Sequence, residues 1–365
     1  MKILYDHQIF SLQKYGGISR YFCELYSHLL TMDTIHPEIS ILYSENTYYN
    51  KIFHNRQILP DKHFFGKTTI INKINECYCK NQIRIGKFDI FHPTYYNPYF
   101  LKTLKTQPYV LTVYDMIHEL FPEMFKGDNT ASQKKKVIEC ATKIIAISEN
   151  TKIDIVKIYD IDPEKIEVIP LATSLQIPIS DISLNLPKRF ILFVGNRGYY
   201  KNFSFFIKSI SSLLDEENDL DLICAGGGVF SEDEMRLLDE LKIKKKVLQF
   251  PITNDSVLSL LYQKAILFVF PSLYEGFGIP ILEAFSCGCP VAASNSSSLP
   301  EVGGDAVNYF DPNNSDSIQK VVKNIMHNNS LQDCLRNRGY QRLKLFSWEK
   351  TALNTKKVYD NLLSQ

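Results

Sequence analysis

The sequence predicts an α/β protein made of two doubly wound, Rossmann-like domains. Short apolar runs of strand length alternate with segments of helical periodicity, and glycine-rich turns follow several of these runs. A chain of 365 residues, 45% of them hydrophobic, is long enough to build two buried cores. We therefore predict an N-terminal domain over 1–172, a linker over 173–187, a C-terminal domain over 188–345 and a terminal helix over 346–365.

The first domain opens with a strand, a glycine loop and a helix. The run at 2–5 is apolar, Gly16 and Gly17 follow it, and apolar residues then recur at helical spacing. Backbone N–H groups at the start of a helix attract anions, so this junction predicts an anion-binding site. Further strands of this domain are predicted at 38–43, 88–92, 109–114, 143–148 and 165–170.

Polar residues stand at the carboxyl ends of two of these strands. His92 ends one strand, and Asp115, His118 and Glu119 follow another. Ligands of open α/β sheets bind at this edge, so these side chains are candidates for contacts with a ligand. A histidine at a strand end is also a common hydrogen-bonded structural residue, and the roles of His92 and His118 therefore stay open.

Residues 62–87 mix six basic side chains with isoleucine, phenylalanine and tyrosine. The pattern fits a basic amphipathic helix that touches an anionic membrane surface. It also fits an ordinary helix whose charged face is in water, and both interpretations remain open.

The second domain begins after the segment 172–187, which is polar, has no helical period and contains two prolines. Strands are predicted at 190–194, 220–224, 247–250, 265–270 and 290–294, followed by two polar helices over 315–345. Arg197 and Lys201 lie in the loop between the first of these strands and its helix. Cations at such a junction can neutralise a diphosphate.

The strand at 265–270 leads into a second glycine loop. Gly276, Phe277 and Gly278 precede a segment of helical periodicity that starts at 279. The glycines carry no Cβ, so the backbone N–H groups of this loop can approach a phosphate closely, and the helix adds its partial positive charge.

Two glutamates flank this glycine loop, Glu275 before it and Glu283 after it. A carboxylate is a poor ligand for a phosphate but a good acceptor for the hydroxyl groups of a sugar. We therefore expect one glutamate to bind a ribose and the other to bind a transferred hexose.

Charge and composition exclude several classes of protein. A net charge of +1 provides no overall field for nucleic acid. No apolar run reaches the roughly 18 residues of a membrane-spanning helix. The N-terminus lacks the charged-then-apolar layout of an export signal, so a cytoplasmic protein is expected.

No metal site is predicted. The pairs Cys77/Cys79 and Cys287/Cys289 lack the spacing of zinc ligands, and the eight cysteines are expected to be reduced thiols. Asp160 and Asp162 have a D-x-D spacing that binds metal elsewhere, but Pro163 follows directly and indicates a turn.

The stretch from 271 to 312, PSLYEGFGIPILEAFSCGCPVAASNSSSLPEVGGDAVNYFDP, resembles the nucleotide-sugar site of retaining glycosyltransferases of family 4. The E-x7-E spacing, the enclosed FG pair, the GCPV strand and the LPEVGGDA turn stand in the family's order. The resemblance covers nearly the whole chain, more weakly in the first half. It implies the GT-B fold, in which two Rossmann-like domains face each other across a cleft and the C-terminal helix crosses back to the first domain.

The resemblance also implies roles for individual residues, with donor binding, catalysis and sugar-side contacts distributed over both domains. Donor binding is expected at Gly16, Gly17, Lys201, Glu275, Gly276, Phe277, Gly278 and Glu283. Catalytic roles are expected for Lys201, Arg197, Glu275 and Asp115, and His92 and His118 are candidates beside the sugar or acceptor. The chain departs from the family at Tyr114, where many members have histidine, and at Tyr200, where arginine usually precedes the lysine.

The resemblance implies transfer of a hexose, with mannose as the leading candidate, from a GDP- or UDP-sugar to a glycan or lipid-linked acceptor of bacterial surface polysaccharide. No cofactor or metal is expected, and the segment 62–87 is the candidate for peripheral membrane contact. Alternatives are a non-catalytic or epimerase-like GT-B protein that binds sugar nucleotides. A dinucleotide-dependent oxidoreductase fits poorly, because no G-x-G-x-x-G follows the first strand.

Overall fold

The computed structural model describes residues 1–53, 66–177 and 184–364. The chain divides into two compact units. The first contains Met1–Leu171 together with Trp348–Gln365, and the second contains Ala172–Ser347. The described parts of the predicted linker, 173–177 and 184–187, are grouped with the second unit, whereas 178–183 lie outside the described residues.

The first unit is built on parallel strands. Its strands are β1 (Lys2–Tyr5), β2 (His36–Ile39), β3 (Ile90–His92), β4 (Val110–Val113), β5 (Lys143–Ala146) and β6 (Ile166–Val168). They are ordered β2-β1-β3 and β4-β5-β6, and a single parallel bridge between Phe91 and Tyr109 links the two groups. The chain order reverses between β1 and β3, which is the switch point where doubly wound sheets bind ligands.

The second strand is displaced from its predicted position at 38–43. It starts at His36 and ends at Ile39. The backbone then leaves the sheet because the N–H groups of Leu42 and Tyr43 donate to Oδ1 of the buried Asn75, at 3.1 and 3.2 Å. A side chain distant in sequence therefore ends this strand, and the local pattern did not reveal it.

Helices connect these strands, and short 3₁₀ turns lie at Pro98–Phe100, Pro122–Phe125 and Pro163–Lys165. The α-helices are α1 (Gln8–Leu12), α2 (Gly17–Leu30), α3 (Thr47–Phe53), α4 (Lys67–Ile85), α5 (Ile117–Leu120), α6 (Thr130–Cys140) and α7 (Glu149–Tyr159). Asp160 ends α7 with a left-handed φ of 52°, and the Asp162 side chain caps the next 3₁₀ turn, so the D-x-D segment is a turn as predicted.

The second unit contains one parallel sheet in the order β12-β11-β10-β7-β8-β9. Its strands are β7 (Arg189–Val194), β8 (Leu220–Ala225), β9 (Val247–Phe250), β10 (Leu267–Phe270), β11 (Val291–Ser294) and β12 (Val307–Phe310). Its α-helices are α8 (Phe203–Glu216), α9 (Glu232–Glu240), α10 (Asp255–Lys264), α11 (Ile279–Ser286), α12 (Leu299–Gly303), α13 (Ser315–His327) and α14 (Asn329–Leu343), with 3₁₀ turns at Tyr199–Lys201, Lys244–Lys246 and Gly304–Ala306.

The edge strand β12 was not predicted from the sequence. Only its first and last residues are buried, so it lacks the unbroken apolar run of the inner strands. The central pair is β7 and β10, which are neighbours in the sheet but distant in the chain. This is again a topological switch point, and it places the loops after β7 and β10 side by side.

The last helix, α15 (Trp348–Leu363), belongs to the first unit and packs against α2. Its Tyr359 is fully buried, with its hydroxyl 2.9 Å from the Tyr5 hydroxyl and 2.6 Å from Nδ1 of His92. Trp348, at the start of the helix, is buried against the ring of Tyr21. The predicted return of the C-terminal helix to the first domain is confirmed.

Candidate active site

An ion pair joins the two loops at the switch point of the second unit. Lys201 follows β7, Glu275 follows β10, and Nζ of the lysine lies 2.6 Å from Oε1 of the glutamate. The backbone N–H of Leu273 donates to the carbonyl of Tyr200 at 2.7 Å, so the loops are also tied through their main chains. Both charged side chains are more than four-fifths buried, which strengthens their attraction.

Two serines shape the glycine loop that follows Glu275. The Glu275 N–H donates to Oγ of Ser297 at 2.9 Å, and the Ser298 hydroxyl lies 2.8 Å from the carbonyl oxygens of both Glu275 and Phe277. Neither serine was among the residues predicted from the sequence. The run of three serines at 296–298 was the sequence feature that could have indicated them. Only the pairing of β10 with β11, however, brings that run beside the glycine loop.

Gly278 occupies a conformation that a larger residue would strain. Its φ is 111°, and a Cβ at this position would lie 2.8 Å from Cδ2 of Leu299. The residue directly precedes α11, and no side chain caps the start of this helix. Within the first turn of α11, Pro280 has no N–H and the Ile281 N–H donates to the Gly278 carbonyl at 2.9 Å. The partial positive charge of this helix start therefore faces the glycine loop, which is the arrangement expected of an anion site.

Glu283 lies on α11 and is 8% exposed. The Tyr262 hydroxyl, from α10, donates to its Oε2 at 3.1 Å. Burial and then the nearby Glu283 charge raise the pKa of Tyr262 well above its ordinary value, so this hydroxyl stays protonated as a donor. Tyr262 thus holds the glutamate in place, a contact that the sequence did not indicate.

Arg197 is engaged with a different part of the second unit. Its Nε donates to Oε1 of Glu234 at 2.7 Å, and its guanidinium reaches the carbonyl oxygens of Gly226, Gly228 and Val229 at 3.2, 3.1 and 2.9 Å. The side chain is only 4% exposed. The structure therefore gives Arg197 a role in shaping the turn after β8, a role that was not predicted from the sequence.

In the first unit, the predicted glycines precede and begin α2. Gly16 is extended, and a Cβ there would lie only 2.1 Å from Oε1 of Gln13. The same Oε1 accepts from the Ser19 N–H at 3.4 Å, and the Ser19 hydroxyl donates to the Gly16 carbonyl at 3.0 Å. The absence of a side chain at Gly16 lets Gln13 lie across the first turn of the helix, and Gln13 was not among the predicted residues.

His92, a candidate whose role the sequence left open, lies in the interior of the first unit. It is fully buried, and its Nδ1 and Nε2 lie 2.6 Å from the Tyr359 hydroxyl and 2.9 Å from the Thr112 hydroxyl. Burial lowers the pKa of His92 to about 3, so the ring is neutral. Of the two interpretations left open, the structural one holds.

Tyr114 is also buried, 4% exposed, among the rings of Tyr21, Phe22 and Tyr96. It replaces the histidine found in many family members. Its side chain is part of an aromatic core here, and this explains how a bulky residue is accommodated at the end of β4.

The loop after β4 carries the remaining candidates. The Asp115 side chain is 26% exposed, and its Oδ1 accepts from the Ile117 N–H at 3.0 Å. His118 is 17% exposed, and its ring packs at a tilt against Phe125 with 4.1 Å between ring centroids. Its Nε2 lies 3.8 Å from Oδ2 of Asp128. Burial, followed by the nearby Lys134 charge, lowers the pKa of His118 below its ordinary value.

The segment predicted as a basic amphipathic helix is partly described. Residues 62–65 lie outside the described residues, and the rest forms α4 and its C-terminal end. Lys67 is buried and pairs with Glu45 at 2.6 Å, so it is not part of a basic surface. The exposed side of α4 instead carries Ile70, Ile74, Ile85, Lys73 and Arg84.

No group of three or more histidine, cysteine or acidic side chains in 1–53, 66–177 and 184–364 is arranged to hold a metal ion. Within the same ranges, no helix combines the length and apolarity that crossing a bilayer requires.

Comparisons with known proteins match both halves of the chain. The family described as Glycosyltransferase Family 4 matches residues 15–176, and the family described as Glycosyl transferases group 1 matches residues 179–342. Among curated relatives, the O-antigen chain mannosyltransferase B of Escherichia coli is 30% identical over 293 residues, which cover 76% of this chain and 75% of the relative.

Solved structures share the fold over the full length. Sucrose-phosphate synthase from Thermosynechococcus elongatus superposes with a TM-score of 0.79 at 19% identity, covering 100% of this chain and 99% of that one. HepE from Anabaena, solved with UDP-glucose, gives a TM-score of 0.75 at 16% identity, covering 99% and 100%. These likenesses confirm the predicted fold class, GT-B.

The burial of His92 predicts a pH dependence of stability. Its pKa is about 3 in the folded chain and about 6.5 when exposed. Below pH 6.5 the unfolded chain takes up a proton here that the folded chain does not, so the free energy of unfolding should fall as the pH falls from 6.5 towards 3. In His92→Gln the slope of the free energy of unfolding against pH should be smaller by up to about 1.4 kcal/mol per pH unit, which is the contribution of one proton.

Urea unfolding of the full chain between pH 7 and pH 5 measures this slope. The matched control is His36→Gln, which removes an exposed imidazole without touching the core and should retain the wild-type slope. An equal slope in wild type and His92→Gln would show that His92 does not stay neutral in the folded state.

Proposed function

The chain belongs to glycosyltransferase family 4 and is a transferase enzyme with the GT-B fold, and from this premise we propose that it transfers a hexose from a nucleotide-diphosphate sugar with retention of configuration at the anomeric carbon. The observation that carries the proposal is the Lys201–Glu275 pair beside the Gly276–Gly278 loop at the switch point of the second unit. A cation, a set of backbone donors and a carboxylate are together there, as a sugar diphosphate requires.

In the proposed complex, the diphosphate binds Lys201 and the backbone N–H groups of the Gly276–Gly278 loop, at the start of α11. Glu283 lies five residues beyond Gly278, roughly 7.5 Å along the helix axis, a distance suited to the ribose of the same nucleotide. Its burial and its bond from Tyr262 support this role, because a preordered carboxylate binds hydroxyl groups at a lower entropic cost. Glu275 then accepts hydroxyl groups of the transferred sugar.

The proposed reaction is a same-face substitution. The acceptor hydroxyl oxygen forms a bond to the anomeric carbon while the bond from that carbon to the diphosphate breaks, and the acceptor proton passes to the departing phosphate oxygen. Negative charge builds on the diphosphate during this step, and Lys201 with the loop amides stabilises it. Lys201 pairs with Glu275 before the donor binds, so we propose that its ammonium is then shared with the phosphates.

No metal is needed in this proposal, because the cation and the backbone donors neutralise the diphosphate. Arg197 supports the site indirectly, by shaping the turn after β8. This modifies the expectation of a direct catalytic contact for that residue.

On the acceptor side, we propose that a glycan or lipid-linked saccharide binds the first unit near Asp115 and His118. Gly16 and Gly17 stay predicted contacts of the donor. The relative in Escherichia coli is an O-antigen chain mannosyltransferase, which supports mannose as the transferred sugar and a bacterial surface polysaccharide as the product. GDP-mannose is the proposed donor. UDP-sugars are the alternative, since HepE was solved with UDP-glucose.

Nucleotide binding should depend on Glu283. GDP at about 100 times its dissociation constant should stabilise the wild type by roughly 2.7 kcal/mol in thermal unfolding. Glu283→Gln should weaken this binding by about tenfold to a hundredfold, because one charge-assisted bond is worth about 1.5–3 kcal/mol. The control Glu240→Gln removes an exposed carboxylate from α9 and should bind as the wild type does.

The same measurement with UDP, ADP and NAD identifies the base. Stabilisation by UDP alone would replace GDP in the proposal, and stabilisation by NAD alone would contradict a sugar-nucleotide donor. Binding of a nucleoside diphosphate without any sugar transfer would favour the non-catalytic alternative.

Lys201→Met should lower kcat about a hundredfold to a thousandfold, because it removes the cation that stabilises the departing diphosphate. The assay follows release of the nucleoside diphosphate from the donor with a saccharide acceptor. Lys208→Met, on α8, is the control for the loss of one lysine and should keep the wild-type rate. NMR of the product should show the anomeric configuration of the donor, and an inverted product would contradict the proposed same-face reaction.

We also propose that the exposed side of α4 contacts an anionic membrane surface. Ile70 and Ile74 are 48% and 47% exposed, and burying both at a lipid interface should strengthen binding. Ile70→Ser/Ile74→Ser should therefore bind vesicles containing phosphatidylglycerol roughly tenfold more weakly than the wild type in a flotation assay. Ile153→Ser, another exposed isoleucine on α7, is the control, and equal binding by all three proteins would contradict the proposal.

A further inference from the structure

A fully buried lysine lies behind the loop that carries Asp115. Lys134, on α6, is 0% exposed, and its Nζ donates to Oε2 of Glu119 at 2.9 Å and to the main-chain carbonyl of Asp115 at 2.9 Å. Burying an ammonium group is costly unless it is paired and hydrogen-bonded. The side chain is therefore held by specific partners, and none of the proposed steps of the reaction uses it.

Glu119 is fully engaged in this cluster. Lys134 binds its Oε2, and the Tyr159 hydroxyl, at the end of α7, lies 2.7 Å from its Oε1. The carboxylate is 5% exposed. Glu119 thus serves as the buried counter-ion of the lysine and joins α5, α6 and α7.

Asp115 is the member of the cluster that reaches the surface. Its side chain is 26% exposed, and its Oδ1 lies 3.6 Å from Nζ of Lys134. The same Oδ1 accepts from the Ile117 N–H, so the carboxylate caps the first turn of α5. The ring of Tyr96 lies beneath the ammonium at 5.1 Å, and its hydroxyl accepts from the Tyr114 N–H.

We infer that Lys134 is a positioning residue that holds Asp115 in its orientation towards the transferred sugar or acceptor. The bond to the Asp115 carbonyl fixes the peptide at which the chain turns from β4 into α5. The carboxylate is then oriented by the Ile117 N–H. The inference rests on the proposed function, in which Asp115 faces the substrates. Lys134 acts through Asp115, because its own side chain has no exposed surface.

The single variant Lys134→Met does not test this cleanly, since it leaves the Glu119 carboxylate buried without its counter-ion. The double variant Lys134→Met/Glu119→Gln removes both buried charges, and the Tyr159 hydroxyl can still donate to the amide oxygen. It should fold with nearly wild-type stability, but the Asp115 carbonyl loses its anchor. The matched control is Lys135→Met, which changes an exposed lysine on the same helix.

Two measurements test the inference. Amide hydrogen exchange at Ile117 should accelerate at least tenfold in the double variant, because the Asp115 cap is loosened. The kcat for nucleoside diphosphate release should fall about tenfold to a hundredfold at an unchanged KM for the donor, since small misplacements of a reacting group have effects of this size. In an Asp115→Ala background the double variant should cause no further loss, as expected when one residue acts through another.

Wild-type exchange at Ile117 in the double variant would overturn the inference. So would equal losses of kcat with and without Asp115, because these would show that Lys134 acts independently. A separate result would contradict the proposed function. If the wild type releases no nucleoside diphosphate from the donor, the site is not that of a transferase. The exchange rate at Ile117 still decides whether Lys134 holds this loop.

Discussion

Parallel strands end at a common edge of a sheet, and the candidate site depends on this constraint. In the second unit, β7 and β10 are neighbours because the strand order reverses between them. The chain continues from β7 to β8 on one side of this pair and from β10 to β11 on the other side. Lys201 and Glu275 are 74 residues apart in the sequence, yet the switch point brings them to 2.6 Å. Without that reversal, the glycine loop before α11 would have an uncapped helix start but no cation beside it.

Buried polar groups set a second requirement, and at three of them it is met by partners from other elements of the fold. His92 is neutral between Tyr359 and Thr112, Glu283 receives a bond from Tyr262, and Lys134 is paired with Glu119. A polar group buried without a partner loses its hydration and gains nothing in return. These contacts therefore fix the orientation of His92, Glu283 and Lys134 as well as stabilising the fold.

Two departures from the family pattern have different consequences in the structure. Tyr114, in place of histidine, is absorbed into an aromatic core and takes no polar role at the surface. Tyr200, in place of arginine, contributes its carbonyl to the bond that ties the loops after β7 and β10, while Lys201 is the cation beside Glu275. Arg197 shapes a neighbouring turn instead. The positive charge at the switch point is thus provided by Lys201 and, in part, by the backbone N–H groups.

The sequence by itself determined the α/β class, most of the strands and the residues of the glycine loops, because apolar runs, helical periodicity and glycine are local signals. The positions of Glu275 and Glu283 on either side of one glycine loop could be read from the sequence for the same reason. Only the tertiary structure decided that His92 is a core residue, that β2 ends at Ile39, that Arg197 shapes a turn, and that Lys134 is buried beside Asp115. Each of these depends on a partner that is distant in the chain, and a linear pattern does not encode which side chain will be folded against it.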